Sequence, residues 1–220
     1  MTIIETFLTH ENLENASGMK RYMKNHFEFL GIKTPERRVL SKDFLREKAK
    51  EGCVDWSLVD KLWAQDYREF QYLAGDYLKK VQKWLTLTDL DKLYALAIQK
   101  SWWDSIDFLD EHVGSIVRRF PQAKATMLVW SQDANFWIRR LAIDHQLGFK
   151  LETDADLLAT IIKNNLGSDE FFINKAIGWS LREYSKVAPD WVREFIVEHD
   201  ADLSNLSIRE GLKVLNRSHA

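Results

Sequence analysis

Apolar residues recur along almost the whole chain at the three-to-four-residue spacing of a helix face, and strand-like alternation is nearly absent. The pattern predicts a helix opened by Ser17 and running through Met19, Tyr22, Met23, Phe27 and Leu30 to a stop at Gly31. Thr34-Pro35-Glu36 is a stronger start signal, combining a capping hydroxyl, a proline suited to the first turn, and an acid at the positive end of the helix. That helix is expected to reach about Lys50, before Gly52. Further helices are predicted at 55–65, 67–85, 88–100, 103–118, 121–131, 135–147, 154–166, 169–187, 190–199 and 208–216. Thr88-Asp89, Thr153-Asp154, Ser168-Asp169 and Ser207 are their expected caps, the last in a capping box with Glu210. The connections are short, which makes successive helices antiparallel neighbours.

A weak repeat runs through this pattern. Trp103 and Trp137 lie 34 residues apart, and Phe172 follows Trp137 by 35. Each opens a helix with small or branched residues further along, as in Trp137-Ile138-Arg139-Arg140-Leu141-Ala142 and Phe172-Ile173-Asn174-Lys175-Ala176-Ile177. Helix pairs at this period predict an all-α fold, an α-solenoid of HEAT-like pairs with a concave binding face, as a single domain over 1–220. An irregular helical bundle is the alternative. In the repeat register, Asp107 stands where the neighbouring units carry Leu141 and Ala176. A carboxylate at a position that is apolar elsewhere breaks the local rule, and such breaks tend to mark function.

Composition narrows the chemistry. Three prolines and nine glycines in 220 residues leave little room for hairpins, whereas nine tryptophans and twelve phenylalanines need many helix faces or a binding surface. A net charge of −2 argues against a generally basic nucleic-acid binder, yet Lys20 to Lys50 holds ten Lys/Arg against four Asp/Glu. Cys53 is the only cysteine, which excludes an internal disulfide and fits a reducing cytoplasm. The start Met1-Thr2-Ile3-Ile4-Glu5 lacks the basic and apolar regions of a signal peptide, and no apolar run approaches a membrane span. A cytoplasmic monomer is expected. There is no P-loop, G-x-G-x-x-G, G-x-S-x-G, paired-cysteine or H-x-x-x-H pattern, so neither cofactor nor metal is expected.

The richest stretch is Ser101-Trp102-Trp103-Asp104-Ser105-Ile106-Asp107. On a helix Trp103 and Asp107 project from one face, placing an indole beside a carboxylate. That pair suits a flat, positively charged substrate that reacts through a cationic transition state. The plainer alternative is a core tryptophan and an ion-paired aspartate. Arg139-Arg140 fits either a solvated or salt-bridged face or a phosphate site, since a guanidinium fork matches phosphate. Lys175, Trp179 and Arg182 follow i, i+4, i+7 spacing, interleaving cations with an indole as a nucleic-acid surface does. Gly178 beside them allows another backbone or a ligand to approach closely.

Four segments resemble the AlkD family of bacterial DNA alkylation repair glycosylases, which are built from HEAT-like repeats. They are Arg21-Tyr22-Met23-Lys24-Asn25-His26-Phe27 with Gly31 to Arg38; Glu69-Phe70-Gln71; Lys100 to Asp107; and Phe171 to Tyr184. The likeness runs in order over nearly the whole chain. It implies excision of cationic alkylated purines such as 3-methyladenine and 7-methylguanine from duplex DNA. It also implies that Asp107 is the catalytic aspartate, that Trp103 and Trp179 line the lesion's sugar and phosphate, and that Arg140 is the active-site arginine. Tyr22 matches the family's early aromatic and Arg182 its phosphate-contacting arginine; Thr34, Arg38, Arg139 and Lys175 complete the expected DNA contacts. No cofactor, metal or obligate protein partner is implied.

The chemistry agrees with that set. N-alkylation puts positive charge on a purine and makes it a good leaving group, leaving the enzyme an oxocarbenium-like sugar to stabilise. One carboxylate could do this and orient water. The indoles would support cationic character, and Arg140 would grip a phosphate. A non-catalytic DNA-structure binder on the same scaffold is the alternative, followed by a solenoid that grips a partner helix.

Overall fold

The computed structural model describes residues 2–217; Met1 and the last three positions lie outside it. The described residues are helical with no strand, and their one extended pairing is an isolated parallel bridge between Glu28 and Tyr67. They fall into two compact units, Met1–Leu85 and Thr86–Ala220.

The first unit contains α1 (Ile3–Leu8), α2 (Leu13–Tyr22), α3 (Thr34–Ala49), α4 (Trp56–Trp63) and α5 (Arg68–Val81). The helix α1 was not predicted: six residues are too few to show a period, and it rests on a Thr2/Glu5 capping box. The helix predicted from Ser17 to Leu30 is instead α2, capped by Asn12 and ended by Lys24 and Asn25 at positive φ. Phe27 to Ile32, apolar enough to read as helix, forms a strap. Its backbone is held by Glu69 of α5, a fully buried carboxylate that accepts the N–H groups of Leu30, Gly31 and Ile32 at 3.0, 2.8 and 3.1 Å. Gly31 is required there, because its φ is +89° and a Cβ would stand 2.1 Å from the Asn12 carbonyl oxygen. At α3, Lys33 is the cap and Thr34 the first helical residue, so the helix starts one position earlier than a capping threonine would place it.

The second unit is a succession of helix pairs: α6 (Leu90–Ala97) with α7 (Trp103–Arg119), α8 (Lys124–Trp130) with α9 (Phe136–Asp144), α10 (Ala155–Lys163) with α11 (Phe171–Tyr184), and α12 (Pro189–Glu198) with α13 (Asn205–Gly211). The helix α9 packs against α7 and α11, and α11 packs against α13. On the other side, α6 lies on α7, α8 on α9, α10 on α8 and α9, and α12 on α11. Ile106, Leu109, Val113, Ile138, Leu141, Ile173 and Ile177 fill the core of this row. Two glycines set the closest approaches. A Cβ on Gly114 of α7 would come within 2.2 Å of the His145 carbonyl oxygen at the end of α9. One on Gly178 of α11 would meet Glu210 Cβ of α13 at 2.6 Å, so the close approach at Gly178 is to a neighbouring helix.

Several caps differ from expectation. Asp154 caps α10 as predicted, accepting from Leu157 N at 3.0 Å. Asp89, of the predicted Thr88-Asp89, is the cap position of α6, with Thr86 heading the short turn before it; Glu170 takes the place of Ser168-Asp169, and Ser204 that of Ser207. Ser207 is buried inside α13 and donates to the Asn174 carbonyl, and Glu210 turns to cations on α11. Among the described residues no helix is long and apolar enough to cross a membrane.

Candidate active site

The aromatic repeat that spaces the second unit is a physical stack. Trp102, Trp137 and Phe172, at the starts of α7, α9 and α11, have ring centroids 5.9, 4.8 and 5.3 Å apart. Edge and tilted contacts of this kind fix the register of adjacent helices. The stacked member on α7 is Trp102, one residue before the tryptophan that the repeat spacing selected. Trp103 is the first residue of α7 and is half-buried.

One turn further along α7, Asp107 projects toward α9 and meets Arg140. The guanidinium Nη2 donates to Asp107 Oδ1 at 2.8 Å, and Nη1 donates to the Phe172 carbonyl of α11 at 2.8 Å. The Arg140 side chain is 3% exposed and that of Asp107 is 21% exposed, so the pair is fixed from within while the carboxylate reaches solvent. Trp179 of α11 lies against the same arginine, its ring centroid 6.0 Å from Arg140 Cζ. Three successive inner helices thus supply the carboxylate, the guanidinium and an indole.

Sequence reasoning missed two more carboxyl groups here. Asp110, three residues after Asp107 on α7, and Asp144, four after Arg140 on α9, are buried, and one carboxylate oxygen from each of the three aspartates lies within 4.8 Å of the others. Asp144 Oδ1 accepts from the Ser180 hydroxyl at 3.1 Å, and its Oδ2 is 3.5 Å from Arg140 Nη2. Both residues sit on otherwise apolar helix faces, but they occupy equivalent positions in the 34-residue repeat, so the register break that singles out Asp107 does not mark them.

Burial dominates the electrostatics. It raises the Asp107 carboxyl above the ordinary range, while the charge and hydrogen bond of Arg140 pull it back. Burial raises Asp144 to about 7, against the pull of Arg140. Asp110 is pushed well up by burial and then by the neighbouring Asp144 and Asp107 charges. Burial opposes the charge on Arg140, but Asp144 and Asp107 outweigh it and raise the guanidinium further. The arginine is therefore a fixed cation whose Nη groups face Asp107 and the Phe172 carbonyl, the salt-bridged arrangement that the sequence offered beside a phosphate site.

The remaining predicted contacts are dispersed. Arg139 Nη1 donates to the Asp133 carbonyl at 2.8 Å, bracing the turn before α9 beside an open polar cleft lined by Gln132, Asn164 and Ser168. Lys175 and Arg182 of α11 both pair with Glu210 of α13, at 2.9 and 2.8 Å. Tyr22, Thr34 and Arg38 belong to the first unit and are exposed there. Of the basic run around them, Arg37 is buried on Asp76, whereas Arg21, Lys24, Lys33, Arg38 and Lys42 are exposed.

A sequence model of a family described as DNA alkylation repair enzyme matches residues 3–215. Among solved structures, one described as "Predicted DNA alkylation repair enzyme from Enterococcus faecalis" is similar at a TM-score of 0.85 and 38% identity, covering 93% of this chain and 96% of its own. No curated protein matches the chain.

Proposed function

Because the chain belongs to the DNA alkylation repair enzyme family, we propose that it is a monofunctional DNA glycosylase. Its substrates are duplex DNA carrying cationic N3- and N7-alkylpurines such as 3-methyladenine and 7-methylguanine. The observation that carries this reading is Asp107, a partly exposed carboxylate locked at 2.8 Å by a buried arginine beside Trp179. An aspartate whose position is fixed before substrate arrives can stabilise charge that develops only in the transition state.

The alkylated base departs with the glycosidic electron pair and is neutralised by doing so, so no general acid is required. The deoxyribose becomes oxocarbenium-like, and Asp107 faces that charge. Water then adds to the sugar carbon, with Asp107 orienting it. Trp103 and Trp179 hold the sugar and favour its cationic form. Arg140 acts through Asp107, keeping it ionised and aimed despite its burial. Lys175 and Arg182, with Arg139, Tyr22, Thr34 and Arg38, are proposed to contact the DNA backbone.

Methylated duplex DNA provides the test, with released 3-methyladenine and 7-methylguanine as the readout. The wild type is expected to release both, and Asp107→Asn to lose at least about a hundredfold in rate, the scale of losing one preorganised electrostatic group. DNA binding without base release by either protein would replace this reading with that of a DNA-structure binder.

A further inference from the structure

Behind Asp107 the ionic inventory does not balance. Three carboxyl groups, on Asp107, Asp110 and Asp144, surround one guanidinium, and two of the three are almost wholly buried. Asp110 Oδ2 and Asp144 Oδ2 are both buried with no hydrogen-bond partner, and each residue places one carboxylate oxygen in the 4.8 Å cluster. Clustered carboxyl groups with oxygens that accept no hydrogen bond are satisfied when one of them keeps its proton and donates it to a neighbour.

We propose that Asp110 is a neutral carboxylic acid near neutral pH and donates its proton to Asp144, and that this pair is a positioning device for the Arg140–Asp107 couple. This rests on the glycosylase reading for its consequence but not for the protonation itself. With Asp110 neutral, and above the pH of about 7 at which Asp144 titrates, the cluster holds Asp107 and Asp144 as anions beside the Arg140 cation, leaving one net negative charge beneath the substrate. Arg140 is then shared between two carboxylates, at 2.8 Å to Asp107 and 3.5 Å to Asp144. It fixes Asp107 without cancelling it, which suits a site that must favour a cationic sugar over a neutral one.

The surroundings leave this balance to the cluster itself. Asp110 faces Asp144 and Arg140 from α9 and Asp107 from its own helix. Asp104 adds to the negative charge acting on Asp107. From α11 comes the neutral Ser180 hydroxyl, whose one proton is shared between the Ile143 carbonyl at 3.0 Å and Asp144 Oδ1 at 3.1 Å. The helix α6, also packed on α7, turns the apolar side chains of Leu90, Leu93, Leu96 and Ala97 inward. Burial strongly favours the uncharged form of Asp110.

The experiment pairs a spectroscopic readout with a kinetic one. Infrared spectra of the intact protein at about pH 8, above the titration of Asp144, should contain the carbonyl stretch of a protonated, buried carboxylic acid, and Asp110→Asn should remove it. Asparagine retains a donor toward Asp144, so Asp110→Asn is expected to keep base release within about threefold of wild type. Asp110→Leu removes the donor, lets Arg140 shift toward Asp144, and is expected to lose about tenfold or more. Absence of the acid band in the wild type, its persistence in Asp110→Asn, or equal losses in the two variants would overturn the proposal. The band can be read even if no base is ever released, so failure of the glycosylase reading and failure of this one are distinguishable.

Discussion

At the scale of single residues, the second unit buries charge where most proteins avoid it, and its response to pH follows. His145, at the end of α9, is 2% exposed; its Nδ1–H donates to the Ala142 carbonyl at 2.6 Å, and Nε2 has no hydrogen-bond partner. Burial lowers its pKa from 6.5 to about 4. A lowered folded-state value means the unfolded chain takes up the proton first as pH falls. Stability from this group is complete above 6.5 and is lost as pH drops to about 4, by at most about 3 kcal/mol. Asp144, raised to about 7, works in the opposite direction: its contribution is complete below 3.8 and is lost as pH rises through 7. The two effects offset each other in the wild type, so a variant must separate them. Urea unfolding of His145→Gln is expected to show a stability that falls less, or even rises, between near-neutral and mildly acidic pH, relative to wild type. An identical pH slope in the two proteins would show that His145 is not held neutral. Asp107 was legible in the sequence because it breaks an apolar register. Asp110 and Asp144 fall at equivalent positions of the repeat and so do not break it, and an aspartate among leucines reads as exposed until the arginine that compensates it is located across the helix interface.

Among the helices, spacing decides more than propensity. The paired architecture was readable because apolar positions recur with a helical period over long segments and an aromatic returns every 34 or 35 residues. The ends of helices were less readable, since caps such as Ser204 and Glu170 compete with equally polar neighbours within a few residues. The strap at Phe27 to Ile32 was unreadable for a different reason: the acceptor for its N–H groups is Glu69, 37 to 39 positions away. The packing distance between α7 and α9 rests on Gly114, where a Cβ would lie 2.2 Å from a carbonyl oxygen. Gly114→Ala is therefore expected to destabilise the protein by about 1–3 kcal/mol through overpacking. Gly18 in α2 has open space around its Cβ direction, and Gly18→Ala should instead stabilise by about 0.5–1 kcal/mol. Chemical denaturation of the two variants, which share one chemical change, measures the contrast; similar shifts in both would refute the packing argument.

For the molecule as a whole, a net charge of −2 coexists with a proposed polyanionic ligand, so binding must rest on local cations. Many basic residues are already engaged: Arg37 with Asp76, Lys48 with Glu51 and Asp55, Lys124 with Asp154. Arg38 is exposed in the first unit and was assigned to DNA by resemblance. Arg38→Ala is expected to weaken binding to any duplex, damaged or intact, and to reduce the slope of log affinity against log salt by about 1. Fluorescence anisotropy over a salt series checks this, and an unchanged slope would remove Arg38 from the interface.

The link from Lys175 and Arg182 to Glu210 gives that surface a kinetic character. A repair protein meets intact duplex far more often than damage, and cations without internal partners would hold it wherever it landed. Under the proposed DNA contacts, a phosphate would have to displace the Glu210 carboxylate, which stays tethered on the neighbouring helix. The exchange would keep both side chains ordered yet make their grip on any one phosphate shallow. If these residues contact DNA as proposed, dwell time on undamaged sequence would be shortened, and the protein would be left free to move along the duplex until the lesion itself supplied what the backbone does not.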